Sequence, residues 1–168
     1  MARKCFYSFH YEKDNWRVSQ IRNIGAVEGN KAARDNDWES IKKGGDKKIK
    51  EWIDGQMEGK TCSIILAGSD TANRKWINYE IEQSWKNGKG VVVIFIHNLK
   101  DKDGKQSSKG SNPLYYVSIK VDQEDKKLST IAKAYNPDET NSKKVYEYIE
   151  NNIESWIEEA INIRKNNK

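Results

Sequence analysis

The sequence predicts an α/β domain in which helices cover both faces of a mostly parallel central sheet. Three apolar runs are continuous rather than alternating, as expected of strands with both faces buried. They are Lys4 to Tyr11, Thr61 to Gly68 and Gly90 to His97. Segments of helical period lie between them, and strands that alternate with helices favour right-handed βαβ units.

Two helices have a clear apolar face. The first runs from Thr71 to Asn87, with Ser69 or Asp70 as its N-cap and Gly88 as a stop signal. The second is an amphipathic C-terminal helix at about 142–164, in which apolar residues recur at spacings of three and four. We expect the second helix to pack on a face of the sheet.

The remaining segments are less regular. A helical pattern from Asp37 to Gly55 is interrupted at Gly44-Gly45. Short strands are expected within Arg22 to Asn30 and in Leu114 to Val121, with a long polar loop before the latter. The length of 168 residues fits one domain that spans residues 1–168.

Composition and charge exclude several classes of partner. The chain has 30 Lys+Arg against 25 Asp+Glu, and the excess is scattered rather than gathered in a basic stripe, so we expect no nucleic-acid partner. No apolar run approaches the roughly 20 residues that span a bilayer, which predicts a cytoplasmic protein with no membrane contact. Cys5 and Cys62 have no neighbours at ligand spacing, so we expect reduced thiols and no metal site.

Familiar catalytic motifs are missing from the sequence. It contains no G-x-G-x-x-G, G-x-x-x-x-G-K-[ST], G-x-S-x-G or H-E-x-x-H. Ligands of open parallel sheets bind at the carboxyl ends of the strands, which here read Phe9-His10, Gly68-Ser69 and Ile96-His97-Asn98. We expect the functional site at that edge.

The segment Asn73 to Trp85 carries two glutamates that a helical wheel separates. At about 100° per residue, Glu80 lies on the apolar face one turn after Trp76, whereas Glu82 lies on the opposite face with Lys86 at i+4. A carboxylate on an apolar face is paired, protonated or directed into a cleft. From the wheel alone, two possibilities stand beside a functional role for Glu80: it extends to solvent at the edge of the face, or it pairs with Arg17 or Arg22.

The order of these segments resembles that of the TIR domain family. The run "FYSFHY" ends the first strand, and "GSDTANRKWINYEI" supplies a W-x-x-x-E signature, Trp76 to Glu80, between two strands. Together with the polar loop after His97, these segments resemble the bacterial TIR-like group that includes the TIR subunit of Thoeris anti-phage defence. The likeness runs from about Lys4 to the end of that loop and weakens in the C-terminal third.

The resemblance implies a flavodoxin-like TIR fold and an enzyme that breaks the nicotinamide glycosidic bond of NAD+. It implies an NAD+ glycohydrolase or ADP-ribosyl cyclase, with NAD+ as substrate and no cofactor, whose cyclic or modified ADP-ribose signals to an effector protein. The family's catalytic glutamate maps onto Glu80. Around Glu80, the expected substrate-binding residues are Phe9, His10, Asp37, Trp38, Ser69, Thr71 and Trp76.

Two other functions remain open from the sequence. One is a non-catalytic TIR-like interaction module that acts by self-association, although scaffolds of that kind lack the glutamate. The other is a flavodoxin-like receiver domain, which would require an acidic cluster where this chain has Phe9-His10. The chain also has Arg34-Asp35 without the Pro-Gly that follows it in many TIR domains, which leaves the oligomeric state and the lid residues open.

Overall fold

A five-stranded parallel sheet forms the centre of the protein. The computed structural model describes residues 3–29 and 41–168. The strands of this sheet are β1 (Arg3–Ser8), β2 (Val27–Gly29), β3 (Cys62–Ala67), β4 (Gly90–Phe95) and β7 (Ala134–Tyr135), and a separate antiparallel pair consists of β5 (Ser118–Val121) and β6 (Glu124–Lys127). The order in the sheet is β2-β1-β3-β4-β7, and all its neighbours are parallel. The α/β fold class predicted from the sequence is confirmed.

Helices cover both faces of this sheet. They are α1 (Tyr11–Asn23), α2 (Gly45–Met57), α3 (Lys75–Lys86) and α4 (Ser142–Asn166). Because strand side chains alternate between faces, Cys5 and Tyr7 pack in one core cluster with α1 and α4, whereas Phe6 packs with α2 on the other face. Helix α3 lies on that second face, where Ile77 and Ile81 cover β3 and β4. No helix within the described residues is long and apolar enough to cross a membrane.

Several predicted boundaries shift in the structure. Strand β1 stops at Ser8, because the backbone turns at His10 and helix α1 begins at Tyr11. Helix α3 begins at Lys75 rather than Thr71, because Asn73 has a left-handed φ of 61° that interrupts a right-handed helix. The C-terminal helix extends to Asn166, two residues beyond the predicted end.

The segment after the long loop also differs from its prediction. Residues Pro113–Tyr116 form a 3₁₀ helix, and the strand that follows pairs only with β6 instead of joining the main sheet. The fifth strand of the main sheet is instead the two-residue β7, which is too short to show a period in the sequence.

Helix α1 has no apolar stripe because a buried ion pair takes part of its inner face. Its buried residues are Asp14, Arg17, Val18 and Ile21. Arg17 Nη1 lies 3.2 Å from Asp14 Oδ1, and both side chains are almost fully buried. Burial raises the pKa of Asp14, although Arg17 opposes that effect.

This ion pair connects three parts of the carboxyl edge. Arg17 donates through Nε to the carbonyl of Leu99 at 2.8 Å and through Nη2 to that of Lys105 at 2.9 Å, so it fixes the loop after β4. Thr71 Oγ1 accepts from the amide of Gly68 at 2.9 Å and faces Asp14 Oδ2 at 3.5 Å. A β-carbon at Gly68 would come within 2.3 Å of the Asp14 carboxylate, so only glycine fits there.

Replacing Arg17 by Met should lower the free energy of unfolding by about 3 to 5 kcal/mol, because Asp14 would remain buried without its cation. Urea denaturation of Arg17→Met and wild type measures the difference. Arg3→Met is the matched control, since Arg3 pairs with Glu158 at the exposed surface, and it should change stability little. Equal effects of the two variants would contradict this role for the buried pair.

Candidate active site

A cleft of about 320 Å³ opens at the carboxyl end of β1, between the start of α1 and the start of α3. This volume lies at the lower end of the range usual for small-molecule sites. The residues that line it are Phe9, His10, Tyr11, Glu12, Lys42, Arg74, Lys75, Trp76, Ile77 and Glu80. The structure therefore brings together Glu80, Trp76, Phe9 and His10 from the residues that the sequence singled out.

Glu80 faces this cleft because the packing of α3 fixes its rotation. The buried residues of the helix are Ile77, Glu80, Ile81, Ser84 and Trp85. Ile77, Ile81 and Trp85 belong to the core cluster on β3 and β4, so the side of α3 that contains Glu80 must face inward. The carboxyl group thus lies at the boundary between the core and the cleft.

The Glu80 carboxyl group is buried, and no charged side chain pairs with it within residues 3–29 and 41–168. The residue is 9% exposed, and Oε2 has no hydrogen-bond partner among the described residues. Burial raises its pKa to about 8, and the neighbouring Ser8 hydroxyl opposes that rise. Ser8 Oγ is itself buried without a hydrogen bond of ordinary geometry. At neutral pH the carboxyl group of the free protein is therefore mostly protonated.

The structure contradicts a pairing of Glu80 with Arg17 or Arg22 and an extension of its side chain to solvent. Arg17 is bound to Asp14 and to two backbone carbonyls. Arg22 lies over the aromatic rings of Tyr7 and Phe9, at 5.4 and 5.5 Å from their centroids. Neither arginine pairs with Glu80, and the side chain does not extend to solvent.

Glu82 differs from Glu80 as the wheel predicts, but it is less exposed than expected. It is half-buried, and no ion pair between Glu82 and Lys86 is found in the described part of the chain. It does not line the cleft. The separation of the two glutamates onto different sides of α3 agrees with the wheel.

Aromatic and imidazole groups form the walls beside Glu80. Trp76 is half-buried, contacts Tyr79 edge to face at 5.8 Å and has the Lys75 ammonium 4.9 Å from its ring centroid. Phe9 is half-buried at the end of β1. His10 is buried, and burial lowers its pKa, with Arg74 acting in the same direction, so its imidazole is neutral near pH 7.

Three cations form the rim of the cleft. Lys42 pairs with Glu12 at 3.3 Å, Arg74 with Asp70 at 2.6 Å, and Lys75 with Asp46. These pairs lie at the surface, where they stabilise little, so an anionic ligand can compete for the cations. The sequence analysis missed this rim, although Arg74-Lys75 directly before Trp76 was a visible signal. It also missed Ser8, a polar residue that follows the buried residues Cys5, Phe6 and Tyr7 of β1.

Two of the predicted binding residues, Ser69 and Thr71, lie outside the cleft. Thr71 is fully buried in the Asp14 cluster, and neither Thr71 nor Ser69 lines the cleft. Because α3 begins at Lys75, its first amides are not next to Ser69. Asp37 and Trp38 lie outside the described residues.

The cysteines and the acidic residues offer no metal-binding arrangement in the described ranges. Cys5 and Cys62 are free and buried, and they lie opposite each other on β1 and β3. No group of three or more His, Cys, Asp or Glu residues that could hold a metal ion is found there.

Comparison with known proteins identifies the family. A family model described as "Thoeris protein ThsB, TIR-like domain" matches residues 6–101, which is more than half of the chain. The protein belongs to the Thoeris ThsB TIR-like family. It is 35% identical over 133 residues to a Bacillus cereus (strain MSX-D12) protein named "Putative cyclic ADP-D-ribose synthase ThsB1", covering 76% of this chain and 69% of that relative. The resemblance drawn from the sequence is confirmed, and the match to the ThsB TIR-like family extends from β1 past β4.

Glu80→Gln should stabilise the protein increasingly as pH rises. The folded pKa of about 8 exceeds the ordinary 4.5, so unfolding releases a proton between these values and wild type loses stability across that window. The variant has no such loss and should gain up to several kcal/mol by about pH 8.5 relative to about pH 5. Urea denaturation at both pH values measures this gain.

Glu82→Gln is the control for this experiment, because Glu82 lies on the same helix outside the cleft. Its stability difference from wild type should not grow in the same way. A pH-independent difference for Glu80→Gln would show that Glu80 is not buried as described.

Proposed function

We propose that the protein is an NAD+-consuming enzyme of anti-phage defence that cleaves the nicotinamide glycosidic bond and forms a cyclic ADP-ribose. The observation that carries this proposal is the Glu80 carboxyl group, which is buried in the wall of an open cleft with no counter-charge among the residues that the structure describes. Perturbed carboxylates in clefts are candidates for catalysis. The relative's name, cyclic ADP-D-ribose synthase, supports the same chemistry.

The reaction suits a single carboxylate. Nicotinamide departs as a neutral molecule, so no general acid is required, and the main demand is to stabilise the oxocarbenium-like ribose. NAD+ brings a positive charge on its nicotinamide ring. That charge beside Glu80 lowers the pKa of the carboxyl group, so substrate binding favours the ionised form that stabilises the transition state.

The aromatic walls favour cyclisation over hydrolysis. Trp76 and Phe9 line the cleft with apolar surface on two sides. They provide surfaces on which nicotinamide or adenine stacks, and they restrict the access of water to the ribosyl cation. With water restricted, a nucleophile within the ADP-ribosyl group captures the cation, and the product acts on an effector protein as a diffusible nucleotide.

The cationic rim of the cleft binds the pyrophosphate of NAD+. Arg74 and Lys75 lie on the α3 side of the cleft, and Lys42 also lines it. Guanidinium and ammonium groups bind phosphate through charge-assisted hydrogen bonds. The pyrophosphate of NAD+ thus replaces the surface carboxylates that pair with these cations in the free protein.

Purified protein incubated with NAD+ should release nicotinamide and an adenine-containing product, which chromatography resolves. Glu80→Gln should lower the rate by at least about 10²-fold, because a neutral amide cannot stabilise the ribosyl cation. Glu82→Gln is the matched control and should keep most of the activity. If Glu80→Gln is as active as wild type, the site assignment fails although the activity stands.

A second outcome decides between the two function classes. If wild type releases no nicotinamide, even in extract from phage-infected cells, the enzyme proposal fails. That result would support the alternative, a non-catalytic module that acts by self-association. Measuring how its oligomeric state depends on protein concentration tests this alternative.

Arg74→Gln should raise KM for NAD+ about tenfold with little change in kcat, because one charge-assisted contact to the pyrophosphate is lost in ground and transition states alike. Steady-state kinetics measures both constants. Lys86→Gln removes a cation from the other end of α3 and should leave KM unchanged. An Arg74→Gln enzyme with wild-type KM would exclude this rim from substrate binding.

A further inference from the structure

We propose that Ser8, the last residue of β1, is a positioning residue for this reaction, and that its hydroxyl donates a hydrogen bond to the Glu80 carboxylate when that group is ionised. The inference rests on the proposed function and assigns a role to a residue outside the W-x-x-x-E signature. Its evidence is the direction of the side chains along β1, the burial of both polar groups and their shared lack of partners.

The alternation of β1 points Ser8 toward α3. Tyr7 packs in the core cluster beneath α1 and α4, so Phe6 and Ser8 must lie on the opposite face. Phe6 belongs there to a cluster against which Trp76 and Tyr79 of α3 pack. Glu80 follows Tyr79 and lies one turn beyond Trp76, and the Ser8 hydroxyl is the side-chain neighbour that interacts with its carboxyl group.

The Ser8 hydroxyl and one oxygen of the Glu80 carboxyl group are both buried in the described part of the structure. Ser8 is 1% exposed, and neither its Oγ nor Glu80 Oε2 has a partner of ordinary geometry in the described part of the chain. The buried serines Ser63 and Ser84 behave differently, because their hydroxyl groups lie 2.6 Å apart and bond to each other. Burying a hydroxyl without a hydrogen bond is unfavourable, and that cost is recovered if the hydroxyl donates to the charged form of Glu80.

The other titratable groups that line the described part of the cleft do not replace the interaction between Ser8 and Glu80. They are His10, Tyr11 and Glu12 at the start of α1, Lys42, and Arg74 and Lys75 at the start of α3. The three cations each have a carboxylate partner, and His10 is neutral near pH 7. Burial raises the pKa of Glu80, and Ser8 is the neighbour that lowers it. The hydroxyl therefore offsets part of the cost of ionising Glu80 in the cleft.

The test is the pH dependence of kcat/KM for NAD+ cleavage in Ser8→Ala. Without the hydroxyl, the midpoint of the acidic limb should move upward by about one pH unit, and kcat below the midpoint should fall about tenfold with KM nearly unchanged. Ser8→Thr keeps the hydroxyl and should return the midpoint toward wild type. Ser63→Ala is the matched control, a buried serine of β3 away from the cleft, and should not shift the midpoint.

A second variant and a second measurement also test the role of Ser8. If Ser8→Ala does not fold, Ser8→Cys replaces the hydroxyl by a weaker donor of similar size and should give a smaller shift in the same direction. If wild type releases no nicotinamide, the ¹³C carboxyl resonance of Glu80 still reports its titration, and Ser8→Ala should raise that midpoint. A midpoint unchanged by Ser8→Ala, in kinetics or in the resonance, overturns the role of Ser8 whether or not NAD+ is the substrate.

Discussion

The proposed activity depends on keeping one carboxyl group out of water with no cation beside it. Glu80 has this environment because Ile77, Ile81 and Trp85 hold the same face of α3 against β3 and β4. The apolar contacts of α3 thus offset the unfavourable burial of a group that would be ionised in water. The charge of this carboxyl group therefore responds to the ligand, because a cationic substrate favours its ionisation in a site from which water is excluded.

The edge that surrounds Glu80 is held by a second polar cluster. Asp14 and Arg17 connect α1 to the loop after β4, and Thr71 and Gly68 connect them to the end of β3. The same long loop returns close to this point, where a β-carbon at Gly110 would lie 2.6 Å from the Gly68 carbonyl oxygen. Since α1 begins directly after His10, this cluster also fixes the turn that brings Phe9 and His10 to the cleft.

The sequence predicted the features that apolar periodicity encodes. The three longest strands, the C-terminal helix and the inward direction of Glu80 all follow from which positions are apolar. It did not predict helix α1, whose buried face contains Asp14 and Arg17, because a buried ion pair looks like solvated charge in a sequence. The start of α3 was placed too early because the left-handed backbone of Asn73 has no signature in composition. Lys42 is distant in the chain from Arg74 and Lys75, so only the folded structure shows that it joins them at the rim of the cleft.

The central claim is that Glu80 is mostly protonated in the free protein at neutral pH. The most direct measurement is the titration of its side-chain carboxyl carbon by ¹³C NMR in glutamate-labelled protein, with the resonance assigned by its absence in Glu80→Gln. The structure predicts a midpoint of about 8 in the free protein. A midpoint near the ordinary 4.5 would contradict the account, because Glu80 would then be solvated or paired.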